Sequence, residues 1–240
     1  MKTTYEKYKN KKGNILVIGD THIPFEIPEY LKFCKDMHKK YKCTRVVHIG
    51  DELDNHAISY HEADPDGMGA GVELEESIKR MKKWYKAFPE AVVCVGNHTA
   101  LPNRKRQSAG LPKRLFKTYK DFMEAPNGWE WGYEFILDGV LFKHHPTGGS
   151  TLTGMLRGAE RNRMSSVSGH IHTQAGVSYS ANAFDTIFAL AVGCGIDKHS
   201  YAFEYGREFQ YKPLIGCGIV YDGGRQAEFV PMDLGKRVKR

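Results

Sequence analysis

Short apolar runs, each closed by a glycine and then a polar residue, mark the first half of the chain. Residues 14–18 (NILVI) end on Gly19-Asp20, residues 44–49 (TRVVHI) on Gly50-Asp51, and residues 91–95 (AVVCV) on Gly96-Asn97-His98. Runs of this length bounded by glycine predict buried strands. Between them the apolar spacing turns helical. Leu31, Cys34, Met37 or His38, and Tyr41 line one face over 28–41, where Pro28 suits a first helical turn. Leu74, Ile78, Met81, Trp84 and Phe88 line one face over 73–88. The β-α-β-α-β order predicts parallel strands whose C-terminal ends share one sheet edge, where open α/β sheets bind ligands.

The second half reads mostly as strands. Residues 133–137 and 140–144 flank Asp138-Gly139, a hairpin signal. A helix over 152–162 follows, capped by Ser150 or Thr151. Short strands are predicted around 164–168, 175–180, 185–192, 214–221 and 226–230, with Asp222-Gly223 marking a second hairpin. No repeat, low-complexity tract or linker interrupts the sequence, so one domain over residues 1–240, built on two facing sheets, is expected. Residues 55–72 form a long loop rich in Gly, His and Asp, and loops this long in compact domains are often functional. Residues 103–120 carry Arg104, Lys105, Arg106, Lys113, Arg114, Lys117 and Lys120.

Composition narrows the class. With 41% hydrophobic and 26% charged residues over 240 positions, the chain matches a soluble globular protein with a sizeable core. No apolar run approaches the ~18 residues a membrane span needs, so no membrane partner is expected. The N-terminal MKTTYEKYKNKKG lacks the apolar centre of a secretory signal. Cys34, Cys43, Cys94, Cys194 and Cys217 are odd in number and form no CxxC, which points to free buried thiols and a reducing, cytoplasmic setting. A net charge of +7 and a pI near 9.0 favour anionic partners and say nothing of the fold.

The chemistry-bearing residues recur at the predicted strand ends. In order they are Gly19-Asp20-Thr21-His22, Gly50-Asp51-Glu52-Leu53-Asp54, Gly96-Asn97-His98, Lys143-His144-His145-Pro146 and Gly169-His170-Ile171-His172. Each motif alone is common; five in this order form a joint signal for a metal site. His, Asp and Asn without thiolate suit Mn²⁺ foremost, with Fe, Zn²⁺ or Ni²⁺ as alternatives. In Asp20-x-His22 and His170-x-His172, an extended backbone would turn both side chains into one cavity. Two cations within about 4 Å need a shared anionic ligand, and Asp51 is the natural bridge. Such a pair binds a phosphoryl oxygen and lowers the pKa of a bound water, yielding hydroxide at neutral pH.

The pattern D-x-H, GD-x-x-D, GNH, H and GH-x-H over residues 15–172 resembles that of the calcineurin-like metallophosphoesterases. The resemblance implies an α/β fold, an αββα sandwich of two facing mixed sheets flanked by helices, with two divalent metal ions at the sheet edges. It implies Asp20, His22, Asp51 and His172 on one metal, and Asp51, Asn97, His170 and one of His144 and His145 on the other. His144 occupies the family's histidine position, and successive strand residues face opposite ways, so His144 is preferred. The resemblance further implies that His98 contacts the phosphate or protonates the leaving group, oriented by Asp54. Three positions depart from the family pattern. Thr99 stands where an acid usually follows GNH. Asn55 stands where the family's protein phosphatases carry a phosphate-gripping Arg. A second histidine stands where His-Gly is usual.

Around this set, Asn55, His56, Arg104, Arg106 and Lys113 are candidate substrate contacts. His56 and His61 read otherwise as solvated loop histidines, and His48 as a core residue. The 103–120 segment reads either as a polyanion groove or as a solvated helix with Leu115, Phe116, Tyr119 and Phe122 on its buried face. Arg157, Arg161 and Arg163 fit an exposed helix face, and the 235–240 tail a solvated basic end. Three functions compete. The first is a phosphodiesterase or nuclease acting on nucleic acid or nucleotides, favoured by the charge. The second is a phosphomonoesterase acting on a small molecule or a phosphoprotein. The third is a non-catalytic scaffold, which the complete ligand set disfavours.

Overall fold

Strand β1 (Asn14–Ile18) is apolar on both faces, and this sets the layering seen in the computed structural model. Residues 8, 10–60, 66–197, 199–200 and 211–235 are described; His61 and the tail beyond Gly235 lie outside them. Leu16 and Ile18 join one core cluster with Cys34 of α1 (Tyr30–Lys40) and with Met81 and Trp84 of α2 (Ala70–Ala87). Ile15 and Val17 face the opposite way, into a second cluster with Phe142, Val167 and Leu190 of another sheet. Alternation of side chains along a strand produces this two-sided burial.

The first sheet runs β11-β10-β1-β2-β3-β4. In it β2 (Cys43–His48), β3 (Ala91–Cys94) and β4 (Trp129–Gly132) lie in parallel succession beyond β1. On the other side β10 (Gly216–Val220) and β11 (Ala227–Pro231) are antiparallel. The second sheet runs β5-β6-β7-β9-β8, from β5 (Glu134–Leu137), β6 (Val140–Lys143), β7 (Ser166–Ser168), β8 (Gly176–Ala181) and β9 (Thr186–Ala191). Its outer face is covered by α5 (Leu152–Asn162), where Met155 and Ala159 meet Ala189 and Ala191. Two mixed sheets lie face to face with helices outside, the αββα arrangement expected.

Local chemistry explains the joints. Asp138 and Gly139 both adopt positive φ, 52° and 73°, as a two-residue hairpin turn requires. Arg45 on β2 reaches across to the Asp138 carboxylate, with Nη1 donating to Oδ1 at 2.8 Å, and so ties the two sheets together. The cap of α5 is Thr151, whose side chain accepts from the Gly154 amide at 3.0 Å.

Three expectations need correction. Strand β4 was not anticipated; its WEWG sequence has no apolar run, and Trp129 holds the edge by donating from Nε1 to the Phe88 carbonyl at 2.8 Å. Helix α2 starts at Ala70 rather than 73, and a 3-10 turn at His56–Ile58 interrupts the long loop. The 103–120 segment is not one helix with a buried face. It divides into α3 (Leu101–Ser108), a 3-10 turn at Lys113–Leu115 and α4 (Tyr119–Phe122). Gly110 at φ 66° and Pro112, which has no amide proton, break it, leaving Leu115 68% and Phe116 41% exposed.

Candidate metal centre

The five motifs converge where parallel strands end. Asp20 follows β1, Asp51 follows β2, Asn97 and His98 follow β3, His144 follows β6, and His170 and His172 follow β7. All four described non-glycine residues that leave these strands with unusual backbones belong to the site: His22, Asp51, Asn55 and His170 have φ of 49°, 47°, 55° and 65°. Left-handed residues of this kind concentrate at functional sites because the surroundings must hold them there. They also correct the expected route to convergence. Asp20-x-His22 and His170-x-His172 turn through a left-handed residue instead of continuing an extended strand.

Motif glycines make the space. A Cβ at Gly96 would lie 2.1 Å from Asp51 Oδ1, and one at Gly169 would lie 2.3 Å from Asp20 Oδ1. The glycine of one motif therefore admits the acid of another.

Among the described residues, four groups of three side chains offer ligand atoms within 4.8 Å of one another. They are Asp20, His22 and His172; Asp20, Asp51 and His144; His22, Asp51 and His98; and His144, His145 and His170. His172 Nε2 lies 2.9 Å from Asp20 Oδ2. On the other side, His144 Nε2 lies 3.0 Å from Asp51 Oδ2 and 3.2 Å from Asn97 Oδ1, and His170 Nδ1 lies 3.1 Å from Asn97 Oδ1. His144 is buried, with Nδ1 at 3.1 Å from the Ile49 carbonyl, whereas His145 is exposed with its ring 4.5 Å from that of His170. Asp20 Oδ1 is buried without a hydrogen-bond partner. A buried, unpartnered carboxylate oxygen among imidazoles is what a divalent cation would satisfy, so the donor set fits metal. The five cysteines are free and buried, and none belongs to these groups.

A second layer holds the ligand atoms. Asp54 Oδ1 is 2.5 Å from His22 Nδ1 and 3.3 Å from His98 Nδ1, while the Asp54 carbonyl is 2.7 Å from His98 Nδ1. The expected Asp54–His98 pairing is thus carried mainly by the backbone oxygen. Asn55 Nδ2 donates to the His98 carbonyl at 2.9 Å, so its amide is engaged in placing the loop. His56 is 7% exposed and meets Phe25 edge to face, which overturns its reading as a solvated histidine; its Nδ1 lies 3.8 Å from Asp54 Oδ2. Glu73 accepts from the His56 and Ala57 amides at 2.8 and 2.9 Å, anchoring the turn to α2. Glu52, fully buried, accepts from Thr99 Oγ1 at 2.6 Å and Trp131 Nε1 at 2.9 Å. Neither Glu52 nor Glu73 was singled out from sequence; Glu52 stands inside the GD-x-x-D motif, and that was its one signal. His48 is a core residue, as expected, with Nε2 at 3.0 Å from Thr21 Oγ1.

Burial raises the Asp51 carboxyl, but His144, His98 and His22 outweigh it and hold it well below the usual range. Burial lowers His144, yet Asp51 and Asp20 outweigh that and push it up to about 9. Burial, with neighbouring histidines, lowers His22 and His170; partial desolvation against His144 and His170 takes His145, whose ring is otherwise exposed, down to about 4. Burial lifts Asp54 to about 6 against the opposing pull of His98 and His56. The lowered His22 and His170 are neutral imidazoles beside the anionic Asp51, whereas His144 is held protonated by the two acids around it, a charge that a cation there would replace.

A family model described as calcineurin-like phosphoesterase matches residues 13–174. The chain belongs to this family. The calcineurin-like phosphoesterases are metal-dependent phosphoester hydrolases with dinuclear centres, and the groups above are this member's candidate ligands. Among solved structures, Vacuolar Protein Sorting 29 from Cryptosporidium parvum is similar over 87% of this chain and 84% of that one, at 11% identity and a TM-score of 0.46. Nuclease MPE from Pseudomonas putida is similar over 89% of this chain and 85% of that one, at 14% identity and a TM-score of 0.36. No curated protein matches this family member. No helix among the described residues is long and apolar enough to cross a membrane.

The candidate substrate contacts divide. Arg104 is exposed and lines a small notch with Asn97 and His98. Arg106 instead turns to its own segment, donating from Nη1 to the Leu111 carbonyl. Lys113 is exposed on the 3-10 turn. Arg157, Arg161 and Arg163 lie exposed on and just after α5, as expected.

Proposed function

We propose that this chain is a two-metal phosphodiesterase acting on nucleic acid or nucleotides. In this reading Asp20, His22, Asp51 and His172 hold one divalent ion, and Asp51, Asn97, His144 and His170 hold the other. Mn²⁺ is the proposed metal, because the donors are nitrogen and oxygen without thiolate. The observation that carries the reading is that Asp51 belongs to two ligand groups, one with Asp20 and His144 and one with His22 and His98. When bound, a metal pair supplies Lewis-acid stabilisation of phosphoryl oxygens and lowers the pKa of water.

The protein's own groups do the rest. The Asp54 carbonyl accepts only, so the His98 proton sits on Nδ1, which leaves Nε2 as the atom to exchange a proton. Once charged, that ring can give a proton to a departing alkoxide oxygen, the role assigned to His98. Asp54 braces His22 through its carboxylate and His98 through its carbonyl.

Preference for a diester rests on charge. A phosphomonoester dianion calls for close cations in addition to metal. Here the position after Asp54 is the neutral Asn55, already committed to His98, and Arg104 flanks the notch. That set suits a monoanionic diester. The test is a metal-reconstituted panel comparing an aryl phosphodiester, an aryl phosphomonoester, single- and double-stranded DNA, and RNA. Faster turnover of the monoester than of every diester would hand the site to the phosphomonoesterase reading. Loss of all hydrolysis with metals bound would indicate a scaffold.

A further inference from the structure

Tyr60 is 54% exposed, an unusual cost for an aromatic ring that no core claims. It stands two residues beyond the 3-10 turn that follows Asp54 and Asn55, and α3 presents two cations to it. The Arg104 guanidinium carbon lies 5.0 Å and Lys105 Nζ 4.1 Å from the ring centroid. Such contacts hold the ring in place, since a cation over an aromatic face attracts its quadrupole. Tyr60 and Arg104 also border a notch of about 60 Å³ whose other walls include Asn97 and His98. The notch is too small for an aromatic ligand. The exposed Tyr60 surface lies at its rim, one step out from the groups proposed to act on the phosphoryl centre.

We infer that Tyr60, steadied by Arg104, is the stacking platform for the nucleobase next to the scissile phosphodiester. The inference rests on the phosphodiesterase reading and adds a specificity residue to it. An exposed aromatic held beside a cationic side chain is the pairing that nucleotides require: the ring takes the base face and the guanidinium takes charge on the backbone. Stacking is tolerant of base identity, so the platform selects nucleotidyl esters over simple alkyl or aryl esters without selecting a sequence. Tyr60 touches the substrate's base and not its reacting atoms.

The test uses two esters with the same leaving group, thymidine 5′-(4-nitrophenyl phosphate) and methyl 4-nitrophenyl phosphate, on the metal-loaded full chain. Tyr60→Ala is expected to lower kcat/KM for the thymidine ester about 5- to 150-fold, the range that alanine substitution of stacking aromatics gives. The methyl ester should stay within about twofold, and Tyr60→Phe should restore the thymidine ester. A short oligonucleotide that loses by the same factor indicates a platform serving both free and polymeric nucleotides; loss with the oligonucleotide alone assigns it to nucleic acid. Equal losses on both nitrophenyl esters, or no loss on any nucleotide substrate, overturn the platform and leave the phosphodiesterase reading standing. Binding of thymidine 5′-monophosphate, followed by calorimetry, tests the platform apart from turnover. If the wild type cleaves no diester yet binds the nucleotide and Tyr60→Ala does not, the phosphodiesterase reading falls and the platform survives. Equal binding by both proteins overturns it.

Discussion

Asp54 and His22 are more closely joined than Asp54 and His98: Oδ1 of Asp54 lies 2.5 Å from His22 Nδ1 and 3.3 Å from His98 Nδ1. Partners of this kind fix the ring orientation of a ligating histidine, and losing one typically costs about 10–100-fold in metal affinity. Asp54→Asn is therefore expected to weaken metal binding by that order, measured by competition with a chromogenic chelator. Unchanged affinity with a rate loss confined to poor leaving groups would return Asp54 to a role on His98 alone.

Asp51 should matter to both metals. It is buried, belongs to two ligand groups, and accepts the His98 amide at 2.8 Å through Oδ1. Metal analysis of the fully loaded wild type should find two ions per chain, and Asp51→Asn fewer than one. A wild type that saturates at one ion would remove the bridging assignment.

Most of this candidate centre was legible in the sequence because Asp20, Asp51 and Asn97 each follow an apolar run that had to become a buried strand. Asp20 and Asp51 needed only the parallel order of β1 and β2 to become neighbours. The backbone that completes the site was not legible: φ of 49° at His22 and 65° at His170 is imposed by tertiary contacts on residues with no glycine-like preference. Strand β4 escaped for the opposite reason, since WEWG owes its pairing to β3 and to Trp129 burial rather than to its own pattern. The Gly110–Pro112 break in the basic segment is legible locally, as a glycine and a proline in the gap between Arg106 and Lys113.

His98→Ala should slow hydrolysis while metal content stays near that of the wild type. Positioned general acids contribute about 10²–10⁴-fold. The loss should shrink for nitrophenolate leaving groups, which depart with little protonation, and grow for alkoxides. Equal losses across leaving groups would favour phosphate binding by His98, and loss of metal would make it a ligand, an arrangement that its grouping with His22 and Asp51 allows.

The basic flank predicts a salt effect. Arg104 and Lys113 are exposed, whereas Arg106 is occupied with Leu111. Each phosphate neutralised releases counterions, so log K falls linearly with log salt. Arg104→Ala with Lys113→Ala should raise KM for an oligonucleotide and reduce the salt slope by about one to two. KM for a small aryl diester should move less. Identical responses from both substrates would make the flank a solvated surface.

Glu52 ties stability to pH. It is fully buried between Thr99 and Trp131, and burial pushes its carboxyl up to about 7 from an ordinary 4.5, although both hydrogen bonds pull the other way. An acid whose folded pKa is raised keeps its proton in the folded state where the unfolded chain has lost it. The contribution of Glu52 to stability therefore falls as pH rises from about 4.5 to about 7, the reverse of the usual salt-bridged carboxylate. The shift corresponds to about 3 kcal/mol lost across that window. Glu52→Gln keeps the shape, and Thr99 can rotate its hydroxyl to accept from the new amide while Trp131 still donates to the carbonyl. Melting curves of chelated wild type and Glu52→Gln between pH 5 and 8 should separate as pH rises, with the variant gaining relative to the wild type. Curves that run parallel over the whole range would mean that Glu52 titrates in the folded protein as it does in the unfolded chain.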